Sequence, residues 1–209
     1  MYLVHHLSSS FQTGPFKDCQ QAKEAGHANS GIYMIKPENS NEPVQLWCEN
    51  SLDPGGWAVI QKRTDGSVNF FRNWDSYKKG FGNVDGEYWL GLENIYMLTN
   101  QDNYRLLIEL EDWSNKKVYA EYSSFRLEPE SEFYRLRLGT YQGNAGDSMI
   151  WHNGKQFTTL DRDRDTYTGK GILMLLYIRK SCSMQQIPLV VPPYAYITLS
   201  RNNTVRAPE

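Results

Sequence analysis

The chain has 209 residues, 40% of them hydrophobic and 22% charged, with a formal net charge of −2. That length and balance suit one good-sized packed domain or two small ones rather than a disordered chain. The lack of a basic surplus argues against a nucleic-acid binder, whose phosphate contacts need Lys and Arg in excess. Fourteen Tyr and six Trp favour a β-rich domain or a recognition surface over a helical bundle, because bulky aromatic rings fit the pleated face of a strand. The opening "MYLVHHLSSSFQTG" has no basic n-region and its apolar run breaks at His5, so it does not read as a signal peptide. No run reaches the roughly 20 apolar residues of a membrane helix.

In chain order, "FKDCQQAKEAG" places Asp18 as the cap of a short helix stopping at Gly26. "GIYMIKP" and "VQLWCE" read as strands, and "DPGG" at 53–56 as a turn. "WAVIQKR", Asp65-Gly66 and "SVNFF" form a hairpin signal, since Asp-Gly supplies the positive φ of a tight turn. "NWDSYKKGFG" predicts a turn or two of helix ending at a glycine, Asp85-Gly86 another turn, and "LENIYMLTNQ" a helix with Leu92, Ile95, Tyr96 and Leu98 inward. "YRLLIELEDW" and "KKVYAEYSSFRLE" are a strand pair across Ser114-Asn115, and "FYRLRLGTY" a strand with one wet face. "GNAGDS" is a loop, and Asn153-Gly154 a turn leading into an acidic stretch. Short strands, tight turns and a few short helices predict an α+β domain around a central twisted, mainly antiparallel sheet. From Lys170 the texture changes: no Asp or Glu recurs before Glu209, and Pro188, Pro192 and Pro193 forbid a regular element through "IPLVVPPYAYITL".

Candidate chemistry concentrates in "TLDRDRDTYTG". Asp161, Asp163 and Asp165 can offer oxygens to calcium from one compact loop. The EF-hand template fails, because Thr166 and Ile172 stand where its Gly and Glu belong. The same aspartates also suit a solvated turn in which Arg162 and Arg164 pair with them. There is no GxSxG elbow, no HExxH and no phosphate-loop Lys-Ser/Thr, so catalysis finds no nucleophile or metal triad. His152 sits beside a turn and reads as structural. Three cysteines, Cys19, Cys48 and Cys182, form no CxxC pair, and composition alone is compatible with three buried thiols.

The stretch "DPGGWAVIQKRTDGSVNFFRNWDSYKKGFGNVDGEYWLGLENIYMLTNQDNYRLLIELEDW", continued by "YRLRLGTYQGNAGDSMIWHNGKQFTTLDRDRDTYTG", resembles the fibrinogen C-terminal domain of the angiopoietin-like family. The resemblance runs from about Pro15 to Gly169 and implies three subdomains. It implies a disulfide between Cys19 and Cys48 in the first. In the third it implies a calcium loop whose ligands are the carboxylates of Asp163 and Asp165 and the carbonyls of Tyr167 and Gly169. Asp161 would then be an outer or structural residue. It further implies a secreted, extracellular, non-enzymatic domain that binds a cell-surface receptor or an extracellular matrix protein in angiogenic signalling. Ficolin-like relatives suggest an alternative, a calcium-dependent lectin-like module for acetylated glycans. Full-length relatives oligomerise through a coiled coil that this sequence does not carry. After Gly169 the family's cysteine- and tryptophan-rich continuation is replaced, and Cys182 matches neither of its cysteines. The expected organisation is therefore an unrelated, disordered leader over 1–14, an incomplete fibrinogen domain over 15–169, and a divergent, poorly packed tail over 170–209. Receptor binding is expected to be impaired and Ca2+ weak or lost. The tail also holds a sequon at Asn202.

Overall fold

The computed structural model describes residues 12–112, 114–164 and 194–202. Strand β1 (Gln12–Phe16) is followed by helix α1 (Cys19–Glu24), then β2 (Gly31–Ile35), β3 (Val44–Glu49) and β4 (Trp57–Arg63). Helix α2 (Trp74–Lys79), the short β5 (Phe81–Gly82) and β6 (Tyr88–Trp89), and helix α3 (Leu92–Thr99) come next. The chain continues through β7 (Tyr104–Glu111), β8 (Lys117–Leu127), β9 (Leu136–Leu138), β10 (Tyr141–Gly143) and β11 (Tyr194–Arg201). The sheet runs in the order β1-β2-β3-β4-β11-β7-β8-β10 and all its pairs are antiparallel except β1 with β2. This is the expected α+β class.

The helix signals operate as read. The Asp18 carboxylate accepts the Gln21 N–H at 2.7 Å and starts α1. The Asn73 side chain does the same for Ser76 in α2, and Gly80, at φ 93°, ends it. Strands β7 and β8 alternate buried and exposed residues, the pattern of a sheet with one covered face. Many of the aromatics serve the core, although Phe71, Tyr119 and Trp151 stay exposed. Tyr33, Tyr77, Tyr88, Tyr104, Tyr122 and Tyr134 are all buried. Each places its hydroxyl on an internal acceptor: Asn29 O, Phe70 O, Val59 O, Asp18, Asp147 and Glu93 respectively. Cys19 and Cys48 form the disulfide that the family resemblance implied, their Cα atoms 5.4 Å apart and 29 residues apart in sequence. A closed loop of that length stabilises the fold by about 3–4 kcal/mol in the chain-entropy picture.

Four expectations change. Residues 12–14, assigned to the leader, form the start of β1 and pair with β2. The hairpin across Asp65-Gly66 does not form, because the turn is held by a side chain instead. The buried Glu87 carboxylate accepts the N–H groups of Thr64, Asp65 and Gly66 at 2.8–3.0 Å on one oxygen. Its other oxygen accepts Val68 at 3.0 Å, and Arg63 lies 3.3 Å away. Burial pushes the Glu87 pKa up, but these backbone donors outweigh burial and hold it at about 2. The wet strand "FYRLRLGTY" starts late and is broken in two, since Phe133 and Tyr134 adopt φ of 54° and 47°, Leu136–Leu138 pair with β8 as β9, and Tyr141 pairs with it again as the start of β10.

The fourth change is the largest. Part of the tail expected to pack poorly is the middle of the sheet. β11 begins directly after Pro193 and pairs along its length with β7, and from Ala195 to Leu199 with β4. Tyr196 to Ser200 are buried. The expectation that no regular element runs through this stretch therefore fails for "YAYITL".

This packing sets two expected outcomes. The amides of Ile197, Thr198 and Leu199 should exchange in the slowest class of the molecule, and Leu199→Ala should cost about 2–5 kcal/mol in denaturant unfolding. Glu87→Gln, which offers an N–H₂ where acceptors are needed, should cost about 3 kcal/mol. Because the folded pKa of Glu87 is depressed, its contribution is full above the unfolded carboxylate pKa. It drains away as pH falls toward about 2. Acid titration of unfolding free energy should therefore show a steeper loss between those limits in the parent than in the Gln variant.

Candidate functional site

The acidic segment begins beside an aromatic cluster of the core. Trp74, the first residue of α2, is fully buried. Its ring is surrounded by Phe133, Tyr134 and Phe157 at centroid distances of 5.8–6.1 Å. The left-handed backbone at Phe133 and Tyr134 turns these two adjacent rings onto the same tryptophan, a placement a regular strand would not permit. The indole N–H of Trp74 donates to Glu130 at 2.9 Å, and Lys78 donates to the other Glu130 oxygen at 2.6 Å. The Lys78 and Trp74 hydrogen bonds together hold the Glu130 carboxyl below the usual carboxylate range.

Onto this platform the loop is pinned by its own residues. Thr159 and Arg162 form an isolated antiparallel bridge, each donating its backbone N–H to the other's carbonyl. One Asp161 oxygen accepts both the Thr159 hydroxyl at 2.8 Å and the Trp74 backbone N–H at 2.9 Å. Burial raises the Asp161 pKa somewhat, but those two hydrogen bonds dominate and lower it. The Arg162 guanidinium lies 5.0 Å over the Trp74 ring and 3.9 Å from Glu130. Arg164 lies 4.1 Å over Phe133, and its backbone N–H donates to the Thr158 hydroxyl. The two arginines therefore meet aromatic faces instead of pairing only with the aspartates, as a solvated turn would have them do.

Of the four expected calcium donors, Asp163 is described and exposed, one residue past the bridge. Asp165, Tyr167 and Gly169 lie outside the described residues, as does Cys182. Among the described residues no group of three or more His, Cys, Asp or Glu gathers as a metal site. The donor chemistry, a carboxylate at the exposed end of an anchored loop, fits a hard, oxygen-seeking cation such as calcium. Asp161 takes the structural role, tying the loop to α2. The anchors Trp74, Glu130 and Phe133 escape sequence reasoning because they are distant in the chain and carry no local signature. Asn202 donates its side-chain N–H to the Ser123 carbonyl at 2.9 Å, so the nitrogen that would carry a glycan is engaged. His152 lies in a short 3₁₀ turn (Ile150–His152), where burial lowers its pKa.

Comparison with known proteins places this geometry. The family model "Fibrinogen beta and gamma chains, C-terminal globular domain" matches residues 15–186. The chain is 90% identical over 156 residues to human Angiopoietin-related protein 1, covering 75% of this chain and 32% of that protein. It is 70% identical over 162 residues to mouse Angiopoietin-related protein 2, covering 78% and 33% respectively. The chain thus spans about a third of the length of these relatives. The fibrinogen-like globe domain of human ANGPTL2 superposes with a TM-score of 0.80 at 52% identity, covering 90% of this chain and all of that one. The chain belongs to the fibrinogen C-terminal globular domain family and is similar, within it, to the angiopoietin-related proteins.

Proposed function

We propose that this chain is an extracellular, non-catalytic ligand domain that binds a cell-surface receptor or matrix protein in angiogenic signalling, with reduced affinity relative to a complete globe. The observation that carries the reading is the 90% identity over 156 residues to human Angiopoietin-related protein 1. The Cys19–Cys48 disulfide supports an oxidising, extracellular setting. No described helix is long and apolar enough to cross a membrane. The expectation of reduced affinity rests on the divergence read after Gly169, within a family match that runs on to residue 186.

The same reading includes a weak calcium site. Asp163 and Asp165 would supply carboxylates and Tyr167 and Gly169 carbonyls. The ion would brace the loop and contribute no reactive chemistry. The anchoring of Asp161, Arg162 and Arg164 to the Trp74 platform supports a loop entrance that is already shaped before any ion binds.

Saturable binding of the chain to endothelial cells should be weaker by about tenfold, roughly 1.4 kcal/mol, than that of the ANGPTL2 globe. Equal affinity would remove the impairment, and binding that is not saturable would remove the ligand reading. Calcium at about five times its dissociation constant should add about 1 kcal/mol to unfolding stability. Chelation should abolish that gain, and Asp163→Ala should not show it. A calcium response that survives Asp163→Ala would place the ion elsewhere.

A further inference from the structure

A cleft of about 470 Å³ opens between the turn after α3 and the far end of β8, lined in part by Asp102, Asn103, Ser124, Arg126 and Arg137. None of its lining residues belongs to the acidic loop, so the cleft is independent of the function proposed above. Arg126 and Arg137 are direct cross-strand partners in β8 and β9. Residues so opposed project from the same face of the sheet, and like charges there repel. Arg137 is compensated by Glu128, with its guanidinium nitrogens 2.6 and 2.7 Å from one oxygen. The Glu128 carboxylate also serves Arg135 at 3.3 Å. Arg126 is exposed and its guanidinium takes no hydrogen bond or ion pair among the described residues. The same holds for the Ser124 hydroxyl and the Asn103 side-chain amide. A repelling arginine pair with one fork left open, beside unused hydroxyl and amide donors, is a donor-rich concavity of small-ligand size.

We propose that this cleft binds an acidic saccharide, with the Arg126 guanidinium holding its sulfate ester or carboxylate. Asn103 and Ser124 donate to the ring substituents, and the Asp102 carboxylate accepts ring hydroxyls. An acidic peptide is the poorer fit, because acidic motifs are held by clusters of arginines or along an open strand edge, and here Arg137 is taken by Glu128 and the backbone is engaged. The Ser123 carbonyl accepts Asn202, the Ser124 carbonyl accepts the Gly139 N–H, and the Asn103 carbonyl accepts the Asn202 N–H. The cleft presents side-chain hydroxyl, amide, guanidinium and carboxylate, the set that reads a polyhydroxylated anion. Asp102 also limits the site to one anionic group, since a second would meet its charge.

The test is calorimetric titration of the intact, disulfide-bonded chain with a sulfated disaccharide, its unsulfated neutral counterpart, inorganic sulfate and hexaglutamate. The sulfated disaccharide should bind at least tenfold tighter than each of the other three. Arg126→Ala should weaken it at least tenfold, and Arg126→Lys should restore part of the loss. Lys117→Ala, which removes an equal charge at the opposite end of β8, should leave it unchanged. Arg126 is exposed, so its variants should keep the parent's unfolding midpoint. An equal loss in Lys117→Ala would reduce the effect to diffuse charge and overturn the site. Inorganic sulfate bound as tightly as the disaccharide would leave an anion hole without a sugar site. Preference for hexaglutamate, or no binding at all, would overturn the proposal outright.

Discussion

The fold hangs on a single strand. β1 to β4 form one half of the sheet and β7 to β10 the other, and β11 is what joins them, hydrogen-bonded to β4 on one side and β7 on the other. Take β11 away and both flanking strands acquire an open edge in the middle of the hydrophobic core, with a row of backbone donors and acceptors left without partners. It is buried from Tyr196 to Ser200, inside the sheet rather than along its rim. Among the described residues the two halves share no other strand.

The end of that strand is locked to the start of the domain. Arg201 reaches α1, 3.8 Å from the buried Asp18 carboxylate and 3.0 Å from both Glu24 oxygens. The Glu24 contact is half exposed and worth little by itself. Asp18 is different. It caps α1, accepts the Tyr104 hydroxyl at 2.7 Å, and sits next to the disulfide-bonded Cys19. Burial disfavours the Arg201 charge, yet Asp18 and Glu24 outweigh it and raise its pKa. The N-terminal helix, the first strand of the second sheet half and the joining strand therefore share one carboxylate. The disulfide covalently fixes the helix that carries it.

Legibility in the sequence divides along physical lines. Elements specified by neighbours in sequence could be read: the Asp18 and Asn73 caps, the β7–β8 alternation, and the turns at Asn115 and Gly154. Those specified from a distance could not. The 64–68 turn looked like a hairpin because Asp65-Gly66 has hairpin chemistry, whereas Glu87, some 20 residues on, supplies the acceptors that decide its shape. β11 looked irregular for a different reason. A strand buried on both faces has no period of two, and its preceding prolines weighed against any element at all. The disulfide came from family resemblance rather than spacing. Of the candidate site, the aspartates were visible as a pattern, while the division of labour expected among them came, like the disulfide, from family resemblance.

The two-residue spacing does not by itself rank Asp161 against Asp163, since either can offer a carboxylate to a cation. Asp161 loses its claim because one of its oxygens already takes two hydrogen bonds, from Thr159 and from the first turn of α2. A carboxylate so committed would have to surrender the loop's attachment to ligate a metal. The first aspartate thus holds the loop to the domain through that carboxylate, whereas the EF-hand template fails further along, at Thr166 and Ile172. The arginines interleaved among the aspartates lean onto Trp74 and Phe133. There their guanidinium groups rest on ring faces, so the same residues that bring positive charge into an acidic segment also hold that segment against the core.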